Sequence, residues 1–436
     1  MKGMLRWVIV GLGLGLGAGL GAQEPEHDHG PGRPMPGMAG MHHGGMSREL
    51  SAAERFLMDE SSGTAFQPAA WPMPMAMTMA RGWRLMWMGQ AFLADTQQSG
   101  PRGGDKLYST NWGMLEAVHR AGRGAFALRA MLSLEPATIT RRRYPLLFQT
   151  GETAFGVPLV DAQHPHDFVM ELSVQYARAW GQKRVWDLYY APVGEPALGP
   201  VAYPHRASAM EFPQGAISHH WQDSTHIANN VATGGITFGK VRVEASGFHG
   251  REPDEARWNI DRGRMDSWSA RVSVFPSRNW TGQVSVGRLE HPEAREPWNV
   301  VRTTASVEYA KAAAGGGWWA ATVAWGQNYR QGEGRRLNAV LAETVIPAGR
   351  RNSFSGRLEW SERDELLRDG APAYDVSAFT VGYTRDIPIL RGVETGLGAN
   401  GSGYAIASGL KPFYGGHPWG VTVYLRVRVK PEADGA

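Results

Sequence analysis

The chain has 436 residues, with 56 Gly, 17 Trp, no Cys, and 45 basic against 41 acidic side chains. Without cysteine there are no disulfides, no thiolate metal sites and no lipid-bearing N-terminal cysteine. The net charge of +4 is spread along the chain without a long basic run, so nothing points to a nucleic-acid partner. A helical membrane protein needs runs of roughly 20 apolar residues. Beyond the N-terminus the sequence has none, and mean hydropathy is only -0.34. The length suits two or three soluble domains or one large barrel.

Residues 1–22 read as a secretory signal: Lys2 and Arg6, the apolar stretch Trp7 to Leu20, then Gly21 and Ala22 before a cut ahead of Gln23. Residues 23–46 form a low-complexity arm expected to be disordered when free. Ser51 and Glu54 offer a capping box for a short helix carrying Phe56 and Leu57. Residues 61–81, rich in Pro, Gly and Met, lead into the first long strand, so arm and lead-in together occupy 23–81.

From Gly82 the apolar period becomes two. Val421, Val423, Leu425, Val427 and Val429 fall on one face and Arg426 and Arg428 on the other; Phe126, Leu128, Ala130 and Leu132 likewise oppose Arg129. Such segments recur near 82–95, 108–119, 124–135, 168–180, 183–192, 225–238, 240–250, 267–275, 279–290, 302–312, 316–329, 335–346, 350–363, 375–387, 391–405 and 419–430. Short connections, as at 120–123, 181–182, 239 and 313–315, alternate with long ones, notably 136–167, 193–224, 251–266 and 407–418. Short turns on one rim and long loops on the other mark outer-membrane barrels, and an even strand count puts both termini in the periplasm. The expected fold is therefore all-β, an antiparallel transmembrane β-barrel of about 16 strands over 82–436. A soluble β-sandwich or propeller would need polar outer faces. Here the apolar stripes hold Trp83, Trp87, Trp186, Trp280, Trp319 and Trp325, which suit an interfacial aromatic belt.

Two groups of side chains have metal-ligating chemistry. The arm offers His27, Asp28, His29, Met35, Met38, Met41, His42, His43 and Met46. Thioether suits cuprous and imidazole cupric ion, so copper is the first cargo it suggests. The long loops carry His164, His166, Asp167, His205, His219, His220, Asp223 and His226, and His249 ends a neighbouring strand. All fall at or beyond the long-loop rim and are expected to converge at the outer mouth. Carboxylates with imidazoles suit zinc, iron or copper. The alternative is that these segments form hydrogen-bonded turns that fold inward and narrow a pore. His119 sits near a short turn on the opposite rim. Met86 and Met88 alternate with Leu85 and Trp87 and are expected to fill space facing the lumen.

A signal, a Met/His-rich exported arm and a barrel together resemble the layout of the copper-resistance outer-membrane protein B family. That resemblance implies copper binding and tolerance at the outer membrane; it covers the arm and the general architecture, without a residue-by-residue match in the barrel. Three functions are expected. The first is a barrel that binds or passes copper or another transition metal. The second is a general or anion-favouring porin, in which luminal Arg129, Arg271, Arg426 and Arg428, with Glu171 nearby, set selectivity. The third is an outer-membrane enzyme whose metal activates water, with Asp167, Glu171 or Asp223 as base. No organic cofactor is implied, and the expected surroundings are outer-membrane lipid and lipopolysaccharide.

Overall fold

A computed structural model describes residues 49–181, 183–293, 297–367, 371–390 and 392–430. The export signal and every ligand of the Met/His arm lie outside the described residues.

Before the barrel come a helix, α1 (Ala52–Met58), and a small hairpin of β1 (Glu60–Ser62) and β2 (Ala65–Phe66). The capping box forms: Glu54 N–H donates to Ser51 Oγ at 3.2 Å and Ser51 N–H donates to Glu54 Oε2 at 2.8 Å. A further strand, β3 (Met75–Ala80), leads into the wall.

The wall begins with β4 (Trp83–Gln98), β5 (Asp105–Ala121) and β6 (Gly124–Leu132). The connection after β6 contains a hairpin, β7 (Tyr144–Ala154) and β8 (Val157–Gln163), which forms its own two-stranded sheet. The wall resumes with β9 (Val169–Ala179), β10 (Arg184–Gly194), β11 (Ala228–Phe238), β12 (Val241–His249), β13 (Ser267–Ser277) and β14 (Trp280–Leu289). It ends with β15 (Val300–Ala312), β16 (Trp318–Arg330), β17 (Arg336–Pro347), β18 (Asn352–Arg363), β19 (Tyr374–Asp386), β20 (Val393–Ile406) and β21 (Trp419–Val429). β4–β6 and β9–β21 are all antiparallel to their neighbours and close as sixteen wall strands among the described residues. Closure satisfies every edge at membrane depth, which an open sheet does not.

At the seam β4 has two partners. Gln90 to Gln98 pair with Arg428 to Gly420 of β21, whereas Trp83 to Met88 pair with Ala80 to Met75 of β3. Where β21 runs out at the short-turn end, β3 takes its place.

The alternation sorts the wall by chemistry. Leu93, Leu128, Val243, Val284, Leu358, Val381 and Val423 are exposed on the outside, with Trp87, Trp280 and Trp319 among the aromatics. The intervening side chains point inward and are buried, including Glu116, Arg129, Glu244, Arg271, Glu343 and Arg426. An apolar outer band over a polar interior is the transmembrane-barrel pattern.

The inward face is buried because the chain fills its own lumen. α1 packs Ala53, Phe56 and Leu57 against Met86, Met88, Met114, Met131 and Met170, so the two methionines do fill space inside. The β1–β2 hairpin is tied in by polar contacts: Arg129 donates to Gly63 O at 2.7 Å, and Thr64 Oγ1 donates to Glu244 at 2.6 Å. Loop 195–227 then crosses the barrel, touching walls in many directions. Ala197 N–H reaches Ser246 on β12, Gly199 N–H reaches Ser285 on β14, and Thr110 on β5 donates to Pro213 O. Glu211 pairs with Arg426 and Arg428 on β21. The β7–β8 hairpin lays Tyr144, Leu146, Leu147 and Phe148 into an apolar cluster with Phe92, Tyr108, Val376 and Tyr424.

Candidate functional site

Most of the predicted loop ligands lie buried among the inward-folded loops, where five of the histidines come together. His219, His220, Asp223 and His226 come from loop 195–227, where a four-residue helical turn (His219–Gln222) runs into a 3-10 turn (Ser224–His226). That 3-10 turn delays β11 to Ala228, so residues 225–227 belong to the loop and not to the predicted strand. His164 and His166 come from the stretch between β8 and β9.

Five imidazoles form a connected group. Ring centroids lie 5.2 Å apart for His166 and His226, 5.3 Å for His219 and His226, 5.4 Å for His219 and His220, and 6.4 Å for His164 and His220. Tyr203, which the sequence pattern does not single out, sits among them, 5.2 Å from His219 and 5.8 Å from His166. The other predicted members stand elsewhere. His205 lies against Trp112, its Nε2 3.1 Å from Met131 Sδ. His249 pairs with Asp266 at 2.8 Å, and Asp167 with Arg257 at 3.0 Å.

Carboxylates surround the group, and most escape a sequence reading because they come from distant segments. His166 Nδ1 is 3.0 Å from Glu135, His164 Nε2 is 2.7 Å from Glu152, and His220 Nδ1 is 3.7 Å from Glu293 and 3.9 Å from Glu252. Asp223 receives His219 Nδ1 at 2.7 Å on one oxygen and Arg206 Nη1 at 2.9 Å on the other. Among the described residues, no three His, Asp or Glu groups stand in finished metal-binding geometry.

Burial separates the protonation states. It pushes His219 down to about 4, only partly offset by Asp223. It pushes His226 well below the usual range, with His166 and His219 adding to the effect. His205 falls to about 3 by burial, with help from His166 and Arg129. Burial also lowers His164, against the pull of Glu152. For His220 burial again opposes the charge, but Glu252, Glu293 and Glu152 outweigh it and hold the ring above the usual histidine range. His166 is raised in the same way, Glu135 outweighing burial. Burial works against ionised Asp223 too, yet His219 and Arg206 hold it below the usual carboxylate range. The group therefore mixes neutral imidazoles with compensated charges.

A cavity of about 420 Å³ opens at the long-loop end, lined among others by Glu152, Asn229, His249, Glu252, Asp254 and Arg257. Glu152 and Glu252 thus face both the cavity and the imidazoles.

The predicted luminal residues all lie inside the barrel and all have partners. Arg129 pairs with Glu116 at 3.2 Å and with Glu60, and Arg271 pairs with Glu244 at 2.9 Å. Arg426 meets Glu211 and Asp386, and Arg428 meets Glu211 and Glu394. Glu171 accepts from Ser173 at 2.6 Å and from Tyr189 at 3.0 Å. The three carboxylates considered as bases are likewise engaged: Asp167 by Arg257, Glu171 as just described, and Asp223 by Arg206 and His219.

No protein-family model and no curated protein sequence matches the chain. Among solved structures it is similar to an anion-selective porin from Comamonas acidovorans, at 11% identity over 79% of this chain and 99% of that one, with a TM-score of 0.51. It is also similar to OmpF of Salmonella typhi, at 8% identity over 81% of this chain and 100% of that one, again with a TM-score of 0.51. Likeness at such identities is likeness of fold. The resemblance to the copper-resistance outer-membrane protein B family rests on the layout of arm and barrel alone. The chain has the fold of the porin-like outer-membrane β-barrels.

Proposed function

We propose that the protein is an outer-membrane channel of porin type for small solutes, held shut in this state by its own loop 195–227 and N-terminal segment. The short-turn end and both termini face the periplasm, and the long loops face lipopolysaccharide. One observation carries the reading: an apolar outer wall surrounds a charged inner wall whose groups are bound by the chain's own loop. Arg206 of that loop donates to Glu343 of β17 at 2.6 Å, and Ser208 meets both Glu343 and Thr322 at 2.9 and 2.7 Å. Polar wall groups of this kind suit water once the loop leaves. Each predicted selectivity arginine is paired with a carboxylate, which favours small solutes in general over anions in particular. The test is current through planar bilayers from the full chain and from a chain whose residues 200–218 are replaced by a short Gly/Ser linker. Steady current only in the shortened chain supports the reading; silence from both sinks it.

A second reading makes the solute a transition-metal ion, copper first, in metal tolerance or uptake. Two separate observations favour it: five clustered imidazoles, and the methionines Met86, Met88, Met114, Met131 and Met170 on the inner wall, where His205 Nε2 meets Met131 Sδ at 3.1 Å. Metal analysis of the dialysed protein tests it, and a preparation free of transition metal after loading counts against it.

A further inference from the structure

We propose that His166, His219 and His226 form a binding site for a divalent first-row transition-metal ion, with the Tyr203 hydroxyl beside it.

The hydrogen bonds select the ligand atoms. His166 Nδ1 lies 3.0 Å from Glu135 Oε1, His219 Nδ1 lies 2.7 Å from Asp223 Oδ1, and His226 Nδ1 lies 2.8 Å from the Asp223 carbonyl oxygen. The hydrogen bonds at His219 and His226 hold the proton on Nδ1 and leave the lone pair on Nε2, while Glu135 beside His166 Nδ1 favours the same tautomer once an ion displaces the second proton. That is the outer-shell arrangement that orients metal-bound histidines. His226 Nε2 is buried and has no hydrogen-bond partner among the described residues. A buried ring nitrogen left without a partner is destabilising unless something takes its lone pair. His166 Nε2 meets the Tyr203 hydroxyl at 3.2 Å.

The spacing also fits. Two imidazoles on one tetrahedral ion, with metal–nitrogen bonds of 2.0–2.1 Å, place their ring centroids about 5 Å apart. His226 already stands 5.2 Å from His166 and 5.3 Å from His219. An ion among them would draw the three Nε2 atoms together about His226, the shared neighbour of the other two rings. Three imidazoles and an oxygen suit zinc, cupric, nickel or ferrous ion and reject calcium and magnesium. No thioether takes part, so cuprous ion is the poorer guest. Glu152 and Glu252 line the outer cavity and also meet His164 and His220, the neighbours of the three ligands. Because His166 precedes β9 and the other two belong to loop 195–227, the ion ties two loops together. The site does not depend on whether the barrel conducts.

The test uses the purified full chain with the arm histidines His27, His29, His42 and His43 changed to alanine, stripped with chelator and titrated with Co2+. The expected result is one ion per chain with intense visible d–d absorption of low coordination number, displaced by Zn2+. His226→Ala or His219→Ala abolishes that absorption, Glu135→Gln weakens affinity about 10- to 100-fold, and His249→Ala leaves it unchanged. Heat-modifiable gel mobility reports whether each variant is folded. Independently of any variant, the Cu2+-loaded chain shows nitrogen hyperfine structure from imidazoles in its EPR spectrum. Absorption that persists in folded His226→Ala and His219→Ala, or an EPR spectrum of oxygen ligands alone, overturns the proposal.

Discussion

Arg206 Nε donates to Glu343 Oε1 at 2.6 Å, and this contact fastens the loop that crosses the barrel to strand β17. The same guanidinium reaches Asp223 at 2.9 Å, and Glu343 also accepts from Arg357 at 2.9 Å. Removing one partner of a buried pair leaves the other charge uncompensated, at a cost of about 3–5 kcal/mol. Arg206→Met is expected to loosen the loop by an amount at the low end of that range, because Arg357 still serves Glu343. Frequent channel openings in planar bilayers, with the barrel still folded by gel mobility, are the predicted readout. Current indistinguishable from the parent chain would show that this contact does not hold the loop.

Gly326 on β16 has no room for a side chain. A Cβ there would stand 2.0 Å from the Trp221 carbonyl oxygen, so the wall and the helical turn at His219–Gln222 meet backbone to backbone. Gly326→Val is expected to push that turn off the wall, with an overpacking cost of about 1–3 kcal/mol. Limited proteolysis checks it: cleavage within 195–227 should rise several-fold while the strands stay protected.

Glu195 gives the closed state a pH dependence. Burial pushes its carboxyl up to about 8; Arg271 opposes the shift and Glu171 and Asp223 add to it. The β1–β2 hairpin presses on it, a Cβ at Gly63 falling 2.6 Å from Glu195 Cβ. Because the folded value is raised, the stability contributed by neutral Glu195 is full below the ordinary value of 4.5 and drains away as pH rises to about 8. Open probability should therefore increase from pH 5 toward pH 8, and Glu195→Gln should flatten that rise. A Gln variant with the parent profile would assign the dependence elsewhere.

The outer wall makes a prediction of its own. Leu358 lies near the middle of β18 with its side chain exposed. An arginine at the midplane of a lipid-facing wall costs about 2–4 kcal/mol. Leu358→Arg should lower the yield of barrel refolded into lipid vesicles, measured by gel mobility, more than the same change in a long loop.

The wall was legible in the sequence because its physics is local. The period of two in 421–429 alone shows which residues face lipid, and Arg426 and Arg428 do point inward onto Glu211. The β7–β8 hairpin was not legible. Positive φ at Phe148, Glu152 and Asp161 and shifts of register break its alternation. The filling of the lumen was only half legible, since inward-folding loops stood as one alternative and nothing showed that 50–67 would be tied to Arg129 and Arg271. For the imidazoles, sequence found the residue types but not the partition. His205 and His249 separate from the others because of Met131 and Asp266, partners far along the chain. Tyr203 carried a signal, two residues before His205 in a His-bearing loop. Glu135, Glu293 and Glu343 carried none.

The closed-channel account is tested most directly by locking the loop. The chain has no cysteine, and Ser208 Oγ lies 2.7 Å from Thr322 Oγ1 across the loop–wall contact. The double variant Ser208→Cys, Thr322→Cys places a disulfide there without competing thiols. Its current in planar bilayers is to be recorded oxidised and then reduced. The account predicts a silent oxidised barrel and voltage-dependent openings after reduction. The same steady current in both states would contradict it, because the solute path would then not pass through the space that loop 195–227 occupies.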